Sequence, residues 1–329
     1  VSLIDEPARG IHRIAVPTPF AVGPVNCYVI SGEPLTLIDT GPNSGSSLDH
    51  IERALAELSL RVEDLELIVL THQHMDHEGL LGILSRRSGA EVAAFHALSP
   101  WLADFPKQTA EDDSFVQRLM RRHGVGEDVI TVLAVLGAGM RAYGSCGAVT
   151  QPLHDGEMLV MGGRAFSVHH RPGHSASDLI FLDADAAVTV GGDHLLSHIS
   201  SNALVSRPLG ASPDAPRPKP LLDYSRSMRA TRAMATGLVL PGHGEPISDH
   251  VELIDGRLRD QERRARKIRQ LLTPEPLSAH ALAVQMWGRV ALTQAYLTLS
   301  EVLGHLDLLL RDGTVAETDD DGLSLFAVI

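Results

Sequence analysis

Seven consecutive residues, Thr71-His72-Gln73-His74-Met75-Asp76-His77, put three imidazoles and a carboxylate close together. Imidazole nitrogens and carboxylate oxygens are the donors that zinc and similar divalent ions take. The apolar stretch Leu67-Ile68-Val69-Leu70 precedes them, which predicts a buried strand ending at the cluster. His72 and His74 are two apart and project to one side of an extended chain. Asp76 and His77 fall at another offset and join them only if the chain turns after His74. Two pairs arriving from different directions suit two adjacent ions better than one. Glu78 to Arg87 then reads as a short helix, with Leu80, Leu81 and Leu84 on one face and Gly89 as its C-terminal cap.

Further ligands have to come from other elements. Pro172-Gly173-His174-Ser175 follows the strand-like Ala165 to His170. Gly191-Gly192-Asp193-His194 follows Ala187 to Val190, and Pro241-Gly242-His243-Gly244 follows Gly237 to Leu240. Each time an apolar run ends in a glycine turn that carries a strong ligand. Glycine lets the backbone approach an ion closely and adopt positive φ. A fourth run, Leu35 to Ile38, ends in Asp39-Thr40-Gly41.

This order of motifs, from Asp-Thr-Gly through His-x-His-x-Asp-His to the final Pro-Gly-His-Gly, resembles the metallo-β-lactamase-fold superfamily of metal-dependent hydrolases. The matched positions lie between residues 26 and 244. The resemblance implies an αββα sandwich, two mixed sheets flanked by helices, with metals at one sheet edge. Periodicity alone gives only an α/β class. The resemblance also implies that His72, His74 and His174 hold one ion and that Asp76, His77 and His243 hold a second. Asp193 would bridge the two, and Asp39 would stand behind the ligands and orient an imidazole. Zinc is the first expectation for both ions, with iron or manganese compatible with the same donors.

The implied chemistry is hydrolysis without a covalent acyl-enzyme. Two ions sharing a water lower its pKa, and the resulting hydroxide attacks an ester, thioester or lactone carbonyl that the ions polarise. Asp76 is the candidate catalytic proton acceptor. Two alternatives belong to the same superfamily. One is an endoribonuclease or phosphodiesterase of the lactamase-beta-2-like type, and the other is an iron-dependent enzyme similar to persulfide dioxygenases. A serine nucleophile is disfavoured, because Gly144-Ser145-Cys146-Gly147 does not spell the Gly-x-Ser-x-Gly elbow.

Bulk properties suit a globular enzyme. The chain has 329 residues, 44% hydrophobic and 21% charged, and only two cysteines. Cys27 and Cys146 are expected as small buried residues. No apolar stretch is long enough to span a membrane, and Val1 to Asp5 shows no leader, so a cytoplasmic protein is expected. A net charge of −13, from 28 basic and 41 acidic residues, disfavours nucleic acid as a partner. The Arg-rich run from Arg257 to Arg269 reads as a solvated helix face. A small acyl substrate is the expected partner, with a homodimer possible in principle.

Residues 1–248 are expected to form the catalytic domain and residues 249–329 a C-terminal unit. Within the first, residues 98–148 form an insertion with Trp101, Phe105, Phe115, Leu119, Met120, Met140 and Tyr143, expected as an apolar-lined helical lid. The loop after Asp193 contains His198, Ser200 and Asn202, candidates for substrate contact. The tail reads as a long charged helix, two apolar helices and a hairpin of Thr314 to Thr318 with Leu323 to Val328. That order is similar to a winged-helix-like α+β unit of the lactamase-beta-2-like and hydroxyacylglutathione-hydrolase-like branch. Asp319 to Asp321 at its tip would repel phosphate.

Overall fold

The computed structural model of the protein describes residues 2–329. The first seven strands are β1 (Ile4–Ala8), β2 (Ile11–Val16), β3 (Val25–Ile30), β4 (Thr36–Ile38), β5 (Leu67–Val69), β6 (Glu91–Phe95) and β7 (Gln151–Leu153). They form one sheet in chain order, antiparallel from β1 to β4 and parallel from β4 to β7. A second sheet has the order β12-β11-β10-β9-β8. It contains β8 (Met158–Met161), β9 (Arg164–His170), β10 (Leu179–Asp183), β11 (Val188–Gly192) and β12 (Leu238–Pro241). Only β11 and β12 run parallel within it.

The central strands β3, β4, β5 and β11 are buried at every residue, as expected of strands covered on both faces. One apolar core joins the two sheets, with Ile14 and Cys27 from the first and Phe166, Val168 and Phe181 from the second. Backbone and side chains also link them directly. The Asn26 amide donates to the Gly242 carbonyl at 2.7 Å, and the Tyr28 hydroxyl donates to the Pro241 carbonyl at 2.7 Å.

Helices α1 (Gly45–Glu57), α2 (Met75–Glu78) and α3 (Leu81–Ser88) follow β4 and β5. Ser44 caps α1 by accepting from the Ser47 amide at 3.1 Å, and Gly89 ends α3 at φ 72°. The insertion contains α4 (Ser99–Ala103), α5 (Phe105–Arg122) and α6 (Glu127–Met140). Its aromatic residues mostly pack inward. Trp101 and Phe105 join the sheet core, whereas Phe115, Leu119 and Met120 join a second core. Helix α6 leaves Val132, Val135 and Leu136 in solvent.

The second core crosses the expected domain boundary. It includes Tyr224 and Met228 of α7 (Pro220–Arg232) and Ile254 and Ile268 of α8 (His250–Leu271). It continues through α9 (Ala279–Trp287), α10 (Val290–Thr293) and α11 (Ala295–Arg311). Phe326 closes it from a three-stranded sheet ordered β13-β15-β14, made of β13 (Leu277–Ser278), β14 (Val315–Asp320) and β15 (Leu323–Val328). Asp319 and Asp320 therefore lie within β14, and the turn narrows to Asp321 and Gly322 at φ 50° and 87°. Two positive φ values in a two-residue loop make the type I′ geometry that suits a hairpin. Cys27 is buried as expected, but Cys146 is exposed because it lies on the irregular segment that ends the insertion. Among the described residues no helix is long and apolar enough to cross a membrane.

Candidate metal centre

Strand ends aim the ligands. The β5 strand gives way to Thr71 and His72, and His74 stands at the N-cap of α2 with φ −70° and ψ 143°. The chain thus turns after His74, and Asp76 and His77 lie on the first turn of the helix. The loop after β9 presents His174, the end of β11 presents Asp193, and the end of β12 presents His243. All seven candidate ligands meet at one edge of the sandwich. Their donor atoms form three trios: His72, His74 and His174; Asp76, His77 and His243; and His72, His77 and Asp193.

Within the first trio, His74 Nδ1 lies 3.0 Å from both His72 Nε2 and His174 Nε2. Within the second, His243 Nε2 lies 3.3 Å from Asp76 Oδ2. Asp193 faces both trios. Its Oδ2 is 3.7 Å from His174 Nε2 and 3.5 Å from His243 Nε2, and its Oδ1 is 3.5 Å from His77 Nε2. Ligands about 2.0–2.1 Å from a tetrahedral ion stand roughly 3.3 Å apart, so these spacings fit two adjacent ions. His77 Nε2, His243 Nε2 and Asp193 Oδ1 are buried and have no hydrogen-bond partner. Leaving one such group unmade costs about 1–3 kcal/mol, and a bound cation would satisfy all three.

The opposite ring nitrogens are held in place. His77 Nδ1 donates to Asp39 Oδ2 at 2.7 Å. Asp39 also accepts from the Thr71 hydroxyl at 2.8 Å and the Thr71 amide at 2.8 Å. With its proton given to Asp39, the Thr71 oxygen accepts from His72 Nδ1 at 3.0 Å. One carboxylate therefore orients a ligand in each trio. His174 Nδ1 donates to the Asn202 carbonyl at 3.2 Å and His243 Nδ1 to the Pro24 carbonyl at 2.8 Å. These contacts put the proton on Nδ1 and the lone pair on the inward-facing Nε2.

The trios differ electrically. Burial and neighbouring imidazoles hold His72 well below its ordinary pKa, and burial with His174 puts His74 at about 3. Burial opposes charge on His77, yet Asp193, Asp39 and Asp76 outweigh it and raise its pKa well above the usual value. His243 is raised too, with burial again opposed by Asp76 and Asp193. Asp193 is pushed down despite complete burial, chiefly by His77. The carboxylates around His77 and His243 thus create a field that favours added positive charge.

Glycine is required where the loops close in. A Cβ on Gly242 would stand 2.2 Å from Asp193 Oδ1 and 2.8 Å from His77 Cε1. Gly192, at φ 48°, would press one on Thr71 at 2.8 Å.

The substrate-contact candidates separate. Asn202 supports His174 through its carbonyl while its side-chain amide donates to Leu297. His198 packs on Gly244 beside the His243 ligand, and Ser200 is exposed on the same loop. Ser201, which sequence reasoning missed, donates to the Asp193 carbonyl at 2.5 Å. Asp178 was missed as well. It accepts from the Ser175 amide and hydroxyl at 2.9 and 2.7 Å, bracing the loop that carries His174, and burial raises its pKa to about 6. Arg171 donates Nη1 to the His170 carbonyl at 2.9 Å and lies 3.8 Å from Asp155, while its buried Nε has no partner.

The chain is similar to known proteins in sequence and in fold. The chain is 34% identical to the probable metallo-hydrolase YqjP of Bacillus subtilis, over 91% of this chain and 92% of that protein. It is 22% identical to an atrochrysone carboxyl ACP thioesterase of Emericella nidulans, over 74% of this chain and 59% of that protein. A metallo-beta-lactamase family protein of Thermus thermophilus superposes with a TM-score of 0.80 at 26% identity, covering 98% of this chain and 99% of that one. The family model described as metallo-beta-lactamase superfamily matches residues 21–243, a range that takes in all seven candidate ligands. Motif order, sandwich and His/Asp centre agree with that match: the chain belongs to the metallo-beta-lactamase superfamily and is a metal-dependent hydrolase of that fold.

Proposed function

We propose that the protein is a binuclear hydrolase that cleaves an acyl thioester, with simple esters and lactones as related substrates. The observation that carries this reading is the convergence of three unpartnered donor atoms, on His77, His243 and Asp193, beside an all-nitrogen trio. Two divalent ions, zinc in the first instance, would supply Lewis acidity for the carbonyl and an acidified water as nucleophile. The chain supplies the rest. Asp193 sits between the trios, and Asp39 fixes the tautomers of His72 and His77. Asp76 has one oxygen directed at His243 and keeps 9% exposure, so its other oxygen takes the proton of the attacking water.

A relative named as a thioesterase, 22% identical over 74% of this chain, supports an acyl substrate. The charge of −13 and the acidic strand β14 favour a small molecule over nucleic acid. In this reading residues 1–248 carry the chemistry in a cytoplasmic enzyme. Residues 249–329 form a winged-helix-like unit that walls the approach to the centre. The test is a panel of thioesters, esters, lactones, phosphodiesters and single-stranded RNA, offered to protein loaded with zinc, manganese or iron. Thioester hydrolysis that disappears in His74→Ala is the expected result. RNA cleavage without acyl hydrolysis, or oxygen-dependent thiol oxidation with iron, would overturn the reading.

A further inference from the structure

Helix α6 has an apolar surface that the rest of this chain leaves uncovered. From Val129 to Met140 it carries no charged side chain, yet Ile130 is its single buried residue. Val132, Val135 and Leu136 form a ridge exposed at 58, 69 and 59%. A helix that is apolar all round is ordinarily buried all round. Beside the ridge runs a groove of about 300 Å³, walled by Val116 and Met120 of α5, Leu133 and Gly137 of α6, and Tyr296 and Leu297 of α11. Seven of the eleven large apolar side chains exposed among the described residues lie on α6 or in residues 284–297. These two stretches meet at the groove, so the exposure is gathered in one place rather than scattered. Gly137 gives an independent sign. Glycine weakens a helix interior, and the packing of this chain does not require it, since a Cβ there would meet no atom within 4 Å. What glycine does allow is the close approach of another backbone from outside.

We propose that this face joins two copies of the chain, with the two α6 helices antiparallel and the ridge of each copy in the groove of the other. A twofold interface has to be complementary to itself, and here a protruding and a recessed apolar surface share one helix. The charges fit the same arrangement. The helix opens with Glu127 and Asp128 and is followed by Arg141, which also pairs with Asp113. A twofold axis through the middle of the ridge brings each acidic end against the basic end of the other copy and sets the helix dipoles in opposition. A lipid surface fits less well. A helix lying on lipid carries lysine or arginine along its polar face, and α6 has neither between Glu127 and Met140. At 1.5 Å per residue the helix is about 21 Å long, and with a helix on either side, each roughly 10 Å across, the footprint is about 600 Å² per copy. Twice that area is at the lower end for a specific interface, which points to a dissociation constant in the micromolar range.

The test is sedimentation velocity of the full chain from roughly 1 to 200 µM, a range that brackets such a constant. The expected result is a monomer–dimer equilibrium. Val135→Asp and Gly137→Leu should each weaken it at least roughly tenfold, because a twofold axis makes every substitution count twice. Melting of the two variants in dilute solution should not fall below that of the wild type, since neither position is packed in the monomer. Val160→Asp charges an exposed apolar position on β8 and should leave the dimer intact. Cys146 is exposed and Cys27 buried, so crosslinking is read in a Cys146→Ser background. There a short bismaleimide should join Val135→Cys to its own copy but not Asp128→Cys, because only the middle of an antiparallel pair faces itself. A wild-type monomer throughout the range, a dimer unchanged by Val135→Asp and Gly137→Leu, or crosslinking at position 128 in place of 135 would overturn the proposal. So would a monomer that floats with phosphatidylcholine vesicles, which would make lipid the occupant. A monomer that binds decanoate in the groove and loses it in Gly137→Leu would overturn it as well.

Discussion

Replacing Asp39 by Asn keeps the side chain's shape and converts one acceptor into a donor. Asp39 takes three hydrogen bonds, from His77 Nδ1 at 2.7 Å and from the hydroxyl and amide of Thr71 at 2.8 Å each. All three partners are donors. Whichever way the Asn amide is turned, its NH₂ opposes at least one of them, because His77 and the Thr71 hydroxyl share Oδ2 and the Thr71 amide has Oδ1. Turned toward His77, it forces the ring to accept at Nδ1 and to carry its proton on Nε2, the nitrogen that faces Asp193. Turned away, it confronts the fixed Thr71 amide. Residue 39 has φ 57°, a conformation Asn adopts as readily as Asp, so the backbone stays unstrained. A hydrogen bond to a charged group is worth about 1.5–3 kcal/mol, which at 1.4 kcal/mol per decade weakens metal binding roughly 10- to 150-fold. Competition with a chromogenic zinc chelator measures it, with melting of the metal-free proteins as the check on folding. A folded Asp39→Asn protein that binds zinc within about threefold of wild type would refute the claim that Asp39 sets the tautomer.

Three further perturbations probe other parts of the molecule. Gly242→Ala should weaken metal binding roughly 10- to 100-fold by displacing Asp193 and His77. Gly139→Ala on α6, which has open space, should be neutral or stabilise by up to about 1 kcal/mol; equal behaviour of the two in metal titrations would contradict the crowding. Arg217→Met should cost about 3–5 kcal/mol in urea unfolding, because it strands the fully buried Asp307 that Arg217 grips with two 2.7 Å contacts; adding Asp307→Leu should recover most of that loss, and no recovery would count against the explanation. His123 is buried with both ring nitrogens unpaired, and burial aided by Arg217 and Arg122 lowers its pKa to about 3. The unfolded chain binds this proton near its ordinary pKa of about 6.5, so stability falls by about 1.4 kcal/mol per pH unit as pH drops from 6.5 toward 3. His123→Phe removes that penalty, and its advantage should grow by about 2 kcal/mol between pH 7.5 and 5; parallel stability curves for the two proteins would show that His123 titrates normally.

The candidate ligands were legible as a cluster because each sits in a short peptide that announces itself. A strand end, a glycine and a histidine or aspartate are local features, and the four peptides need only a common sheet edge to meet. Their supports were not legible. The carbonyls of Pro24 and Asn202 belong to the backbone and carry no residue signature. The Thr71 hydroxyl link becomes visible only once Asp39 is placed against it. The aromatics of the insertion suggest a lid, but Phe115 and Leu119 have a larger apolar surface to join in α7 and α11. The shared core across residue 248 is hidden for the same reason, since apolar periodicity shows that a helix has a buried face and not what covers it. Asp319 and Asp320 have poor strand propensity and read as turn. They occur in β14 because it is an edge strand, where charges also discourage pairing with another chain. Arg257, expected on a solvated helix face, instead reaches the carbonyls of the loop after Asp193, which a charge pattern alone does not reveal.

The central claim is that two ions in one His/Asp centre are needed for acyl hydrolysis. It is tested most directly by titrating zinc into metal-free protein while following both bound metal and the rate of thioester hydrolysis. The expected result is saturation at two equivalents per chain, with full activity reached only as the second site fills, and loss of one equivalent in His74→Ala. Full activity with one equivalent or with none would contradict it.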